Sequence, residues 1–240
     1  MSLQQPIWIL ISLGTESFFF SLRSLRLCGE ETTESKMTDL ILYLLRHGES
    51  VANVERVFAA RRIDPPLSDV GIQQITMQAE SLKSIDFSDM YASPLLRARQ
   101  TAQIVGQHCP LEPILSNALQ EVNVGILDGE NQNDPQNWGV YEGVVKKWER
   151  GFTDTGFPGG ESLNDIGDRF KSFLNGLEGE QQKPILAIGH CLLFMAVIWL
   201  FCENHGPKFE DGHMGRGHLS IVSGSDDRFR ILRFNISPGG

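Results

Sequence analysis

Leu40-Ile41-Leu42-Tyr43-Leu44-Leu45-Arg46-His47-Gly48 is the stretch on which the reading of the chain turns. A nearly continuous apolar run of strand length, followed at once by an arginine, a histidine and a glycine, describes a strand buried on both faces that ends in a loop. Doubly buried strands belong to parallel sheets, and such sheets bind their ligands at the C-terminal strand edge. The pattern recurs at Ile185-Leu186-Ala187-Ile188, which runs into Gly189-His190. Two strands therefore each deliver a histidine at the edge where a site is expected.

Helical patterns alternate with these strands. Ser68 reads as the cap of a helix to about Ser84, with Val70, Ile72, Ile75, Met77, Ala79 and Leu82 supplying apolar surface and Gly71 weakening the pattern. Asp89 to Ser93 has the character of a short strand, and Ser93-Pro94 reads as a capped helix start followed by the stripe Leu95, Ala98, Ala102, Val105. Pro113 to Leu115 is a candidate strand, Asn137 to Glu149 and Ser162 to Leu177 are candidate helices, and Cys191 to Cys202 is apolar all round, as a buried helix is. Leu219 to Val222 and Phe229 to Phe234 close the series as strands. The alternation predicts an α/β three-layer sandwich, with a mostly parallel central sheet flanked by helices.

Composition narrows the function classes. The chain has 240 residues, 41% of them hydrophobic, enough for a substantial core, and a formal charge of −9 with no basic run, so nucleic acid is not an expected partner. An anionic ligand must then be held by a local cluster of cations. No run reaches the roughly 18 to 20 apolar residues of a membrane span, and Gly14, Thr15 and Glu16 interrupt even Ile7 to Phe20. Four cysteines without a C-x-x-C pair point to a reducing, cytoplasmic setting rather than a disulfide framework or structural zinc. Residues 1–36 show neither helical nor strand periodicity and read as an N-terminal extension, with Met37 opening the domain of residues 37–240. Arg23, Arg26 and several serines leave an organelle transit peptide as a second, weaker reading of that extension.

The Arg-His-Gly tripeptide alone is weak information. The same chain, however, carries Asn53, then Ser93-Pro94-Leu95-Leu96-Arg97-Ala98-Arg99-Gln100-Thr101-Ala102, Leu119-Gln120-Glu121, Pro158-Gly159-Gly160-Glu161-Ser162 and Gly189-His190, in that order. On these motifs residues 39–235 resemble the histidine phosphatase superfamily, the phosphoglycerate mutase-like enzymes. The resemblance implies that His47 is transiently phosphorylated and that Arg46, Asn53, Arg97 and His190 hold the phosphoryl group. It also implies that Glu121, otherwise an ordinary acidic loop residue, gives a proton to the leaving group. Phosphoryl transfer is carried mainly by positioning and positive charge, which two arginines and two histidines supply, so no metal or other cofactor is expected.

Two departures from the mutase pattern favour hydrolysis. Ala59-Ala60 stands where the mutases carry a small hydroxylated residue followed by glycine, and Cys191 stands where they carry glycine. The expected activity is metal-independent hydrolysis of a small-molecule phosphomonoester. A cofactor-dependent phosphoglycerate mutase is the first alternative, and a non-catalytic phosphate-binding module the second. Arg61 and Arg62 are candidates for a distal anionic contact, although solvated loop charges are the more ordinary reading. His205, His213 and His218 match no common metal-ligand spacing.

Overall fold

In a computed structural model that describes residues 39–177, 183–225 and 227–240, the strands are β1 (Leu40–Arg46), β2 (Met90–Ala92), β3 (Pro113–Leu115), β4 (Ile185–Gly189), β5 (Leu219–Ser225) and β6 (Arg228–Ile236). They form one sheet in the order β3-β2-β4-β1-β5-β6. β3, β2, β4 and β1 run parallel, and β5 is antiparallel to both of its neighbours. Residues 1–36, read above as an extension, lie outside the described residues.

Around the sheet stand α1 (Val51–Glu55), α2 (Asp69–Leu82), α3 (Leu96–Gly106), α4 (Pro135–Glu149), α5 (Leu163–Asn175) and α6 (Cys191–Phe201). Side chains of a strand alternate between faces, and the two central strands sort accordingly. Leu42 and Leu44 of β1, with Ile185 and Ala187 of β4, join Trp148, Phe170 and Phe194 from α4, α5 and α6 in one core. Leu45, Leu186 and Ile188 join Ile75, Ala79 and Leu82 of α2 and Ala98, Ala102 and Val105 of α3 in the other. With helices on both faces, neither strand has a solvated side, which is why both read as unbroken apolar runs. Each such aliphatic side chain contributes roughly 1.5–3 kcal/mol by leaving water.

The starts of α2, α4 and α5 follow their caps, and that of α3 does not. Ser68 accepts the Gly71 N–H at 3.1 Å, and Asp134 accepts the Gln136 N–H at 2.7 Å. Ser162 and Asp165 bond reciprocally at the start of α5. Ser93 does not cap α3, which begins at Leu96, later than Ser93-Pro94 predicts. Both carboxylate oxygens of Asp64 lie 2.8 Å from the Leu96 N–H, so a loop distant in sequence takes the capping role and leaves the Ser93 hydroxyl for another partner.

Gly71 has a steric reason that outweighs its poor helix propensity. A Cβ there would lie 2.0 Å from the Glu49 carbonyl oxygen, and one on Gly48 would lie 2.5 Å from the Gly71 oxygen. The two glycines let the first turn of α2 rest backbone to backbone on the loop that follows β1. Replacing glycine by alanine inside a helix normally gains up to about 1 kcal/mol. Gly71→Ala should instead lose about 1–3 kcal/mol as the loop is pushed away, read as a lower urea midpoint; a raised midpoint would refute the close approach.

Candidate active site

The parallel pairing of β1 with β4 places Arg46 opposite Gly189, and the His47 N–H continues the ladder to the Gly189 carbonyl at 3.0 Å. His47 and His190 consequently leave adjacent strand ends with ring centroids 5.1 Å apart. Both are buried, 3% and 0% exposed. The His47 Nδ1 lies 2.6 Å from the Gly48 carbonyl. A carbonyl can only accept, so Nδ1 carries the proton and Nε2 keeps its lone pair.

His190 places its Nε2 2.8 Å from the Ser93 hydroxyl, and its Nδ1 has no hydrogen-bond partner among the described residues. The serine expected as a helix cap is thus an orienting group for the second histidine. Burial pulls both histidines well below the ordinary imidazole value, with Arg97 the next cause for each. Neutral imidazoles beside two guanidinium groups are the result.

Arg46 donates through Nη1 to the Met214 carbonyl, while its buried Nε has no hydrogen-bond partner among the described residues. Arg97, 1% exposed on the first turn of α3, donates through Nη2 to the carbonyls of Ala59 at 3.0 Å and Ala60 at 3.4 Å. Its Nη1 stands 3.4 Å from Asp64. Burial lowers the Arg97 pKa, while the charges of Glu121, Asp64 and Asp128 oppose the shift. Asn53 accepts both the N–H and the hydroxyl of Ser50 on its Oδ1 at 3.1 Å, which leaves its amide nitrogen as a donor.

Glu121 is anchored by backbone amides. Its Oε1 accepts from Val122 and Leu193 at 2.9 Å each, and its Oε2 accepts from Leu192 at 3.3 Å. Two of these are the otherwise unpaired N–H groups at the start of α6, a favourable place for negative charge. The six residues singled out from sequence are therefore brought together. Arg46, His47, Asn53, Arg97 and Glu121 line one cavity of about 220 Å³, and His190 packs beneath it against His47.

Several supporting residues escaped the sequence reading. Asp128, 3% exposed, accepts the backbone N–H groups of Ala60 and Arg61 at 3.0 and 2.8 Å, and that of Arg62, and so shapes the loop that meets Arg97. Nothing local to Asp128 signals this. Glu161 had a signal, the Pro-Gly-Gly-Glu-Ser motif: it takes Arg61 at 2.7 Å, Arg169 at 3.0 Å and the Asn123 N–H at 2.8 Å. A Cβ on Gly160 would lie 2.1 Å from the Asn123 carbonyl, so the motif packs directly on the segment that carries Glu121. Arg61 and Arg62 are absorbed by this scaffold, the second bonding the Asp128 carbonyl, and neither lines the cavity. His213 and Arg216 do line it; no group of three or more His, Cys, Asp or Glu side chains among the described residues is placed to hold a metal ion.

The family model for the histidine phosphatase superfamily, branch 1, matches residues 42–237. The chain belongs to the histidine phosphatase superfamily. As a histidine phosphatase it is a phosphatase-class enzyme, and the phosphohistidine mechanism is general to that superfamily. Its relatives include a probable phosphoglycerate mutase GpmB of Escherichia coli, 31% identical over 153 residues that span 61% of this chain and 68% of the relative. Another is the fructose-2,6-bisphosphatase TIGAR B of Danio rerio, 34% identical over 145 residues, 59% of this chain and 54% of that protein. Among solved structures, a mycobacterial glucosyl-3-phosphoglycerate phosphatase with VO3 superposes with a TM-score of 0.68 at 25% identity, covering 82% of this chain and 100% of that one. The protein TTHB049 from Thermus thermophilus gives 0.58 at 30% identity, covering 82% and 99%.

The buried histidines of this histidine phosphatase make a stability prediction. Both have pKa values depressed below 6.5, so between that value and the folded-state value the unfolded chain binds more protons. Stability is fully present above about pH 6.5 and falls as the pH drops below it, by up to about 1.4 kcal/mol per pH unit for each histidine. Urea midpoints taken at pH 7.5 and 5.5 should show this fall, and His190→Gln should make it shallower. An equal fall in the variant would mean that His190 is not the neutral buried group described.

Proposed function

We propose that this protein hydrolyses small phosphomonoesters through a phosphohistidine on His47, with Glu121 as the proton donor and no metal cofactor. The observation that carries this reading is the His47 ring itself, with Nδ1 bonded to the Gly48 carbonyl and Nε2 left as nucleophile beside two arginines.

In the first step the Nε2 lone pair attacks phosphorus, the ester P–O bond breaks and the Glu121 carboxyl gives its proton to the departing oxygen. In the second, the Glu121 carboxylate takes a proton from water, the resulting hydroxide attacks phosphorus, and the P–N bond breaks to release phosphate and neutral His47. Arg46, Arg97, the Asn53 amide and His190 Nδ1 face the equatorial oxygens in this scheme. Donors already in place need no reorganisation when charge develops, which is where most of the rate enhancement arises. With Ser93 donating to Nε2, His190 carries its proton on Nδ1, the atom that has no hydrogen-bond partner among the described residues.

Phosphoglycerate mutation is the competing reading. A mutase must keep its bisphosphorylated intermediate through half a turnover, which calls for dense polar contacts to the substrate's second anionic group. Ala59 and Ala60 line the cavity and bring no side-chain hydroxyl to it, and Arg61 and Arg62 are engaged elsewhere, so hydrolysis is favoured. Residues 37–240 are proposed as the catalytic unit, and a cytoplasmic location is part of the same reading, in keeping with the free thiols of Cys109, Cys191 and Cys202.

Quench-flow with 32P-labelled ester should trap an acid-labile phosphoenzyme in the wild type, and His47→Ala should form none while losing roughly 10⁴-fold or more in kcat/KM. Phosphoenzyme in that variant would sink the nucleophile assignment. Glu121→Gln should slow alkyl esters about 10²–10⁴-fold and p-nitrophenyl phosphate, whose leaving group needs no proton, less than about tenfold. Equal losses on both would rule out proton donation.

A further inference from the structure

Beyond the phosphoryl cluster, the cavity lining changes character. Phe58, Trp138 and Tyr141 form a contiguous aromatic wall: Phe58 and Trp138 stack at 6.4 Å and 23°, Trp138 and Tyr141 lie 5.1 Å apart at 32°, and Tyr141 stacks on Phe157 at 6.0 Å and 24°. The wall is rooted in the core. Phe157 meets the buried Trp148 edge-on at 5.4 Å, and the Trp148 indole N–H donates to the Thr155 carbonyl at 2.7 Å. The wall opens at Trp138, which is 44% exposed where Phe58 is 7%. A half-exposed indole held by stacked neighbours at a cavity is a preorganised platform for another flat ring.

The charges point the same way. Of the cations on the lining, Arg46 and Arg97 belong to the phosphoryl cluster, and Arg216 is bonded to Glu49 at 3.0 Å. A carboxylate or second phosphate on the leaving group would have to share Arg216 with Glu49. A volume of about 220 Å³, below the roughly 300–1,000 Å³ of sites for drug-sized ligands, suits a phosphoryl group and one ring.

We propose that the substrate of this site is the monophosphate ester of an uncharged alcohol bearing an aromatic ring, and that Trp138 is the specificity-determining residue that stacks on that ring. This rests on the hydrolase reading above and names its substrate class. The ring is held in the ground state and the transition state alike, so its contribution enters through KM rather than kcat.

The test uses benzyl phosphate, glycerol 3-phosphate and 3-phosphoglycerate, all alkyl esters, so that ease of P–O cleavage is shared and the organic group is what differs. Wild type should give the highest kcat/KM with benzyl phosphate and the lowest with 3-phosphoglycerate. Trp138→Ala should lower the benzyl over glycerol selectivity about tenfold, with the change in KM. Trp138→Phe, which keeps a ring, should restore most of it. Wild type that favours either glycerol-based ester, or selectivity unmoved in Trp138→Ala, overturns the assignment while phosphate release leaves the hydrolase reading standing. Failure to release phosphate from all three esters and from p-nitrophenyl phosphate overturns both.

Discussion

One ladder hydrogen bond organises this molecule: the His47 N–H to the Gly189 carbonyl, where β1 and β4 end side by side. It exists because both strands are apolar on both faces and so can occupy only the middle of the sheet. Their parallel register then leaves no freedom in where the two histidines emerge. Arg46 shares that constraint, since it is the last residue of β1, opposite Gly189. The site is a consequence of burying Leu42, Leu44 and Leu45 on one strand and Ile185 to Ile188 on the other.

Such an arrangement concentrates positive charge inside a protein whose formal charge is −9. An unpaired buried cation is costly, and the structure offsets it with carbonyl oxygens more than with carboxylates. Met214 receives Arg46; Ala59 and Ala60 receive Arg97, whose ion pair with Asp64 is long at 3.4 Å. Neutral acceptors satisfy donors without cancelling the field, so the guanidinium groups keep their pull on an incoming dianion. The histidines adapt in the opposite sense and stay neutral, as burial and the arginines require. Arg46 Nε and His190 Nδ1 are buried and have no hydrogen-bond partner among the described residues, and the proposed function gives them a phosphoryl oxygen to meet.

What was legible in the sequence was what is local. Continuous apolar runs marked β1, β4 and α6, and Ser68 and Ser162 marked true helix starts. Ser93-Pro94 misled because capping is a hydrogen bond, not a residue type: Asp64 accepts the Leu96 N–H, and the Ser93 hydroxyl lies against His190. Gly71 read as a weakness because its reason is the Glu49 backbone, distant along the chain. The ordered motifs carried the residues of the phosphoryl cluster. Their supports did not show, because Asp128 and Arg61 act by long-range contacts that leave no periodic or spacing mark.

The aromatic wall was illegible for the same reason, yet its construction bears on how this site selects. Trp138 and Tyr141 lie within one helical turn, and on periodicity alone they are two more apolar positions of α4. Only the approach of Phe58 from the loop after α1 and of Phe157 from the loop before α5 turns them into a wall. Those partners connect through Trp148 and Phe209 to the core that also buries β1 and β4. The surface that would meet the organic group is therefore tied to the sheet that positions His47, not suspended on an independent lid. Under the proposed reading, discrimination comes from a fixed shape in register with the nucleophile, and a change in that shape would be transmitted through the core before it reached the chemistry.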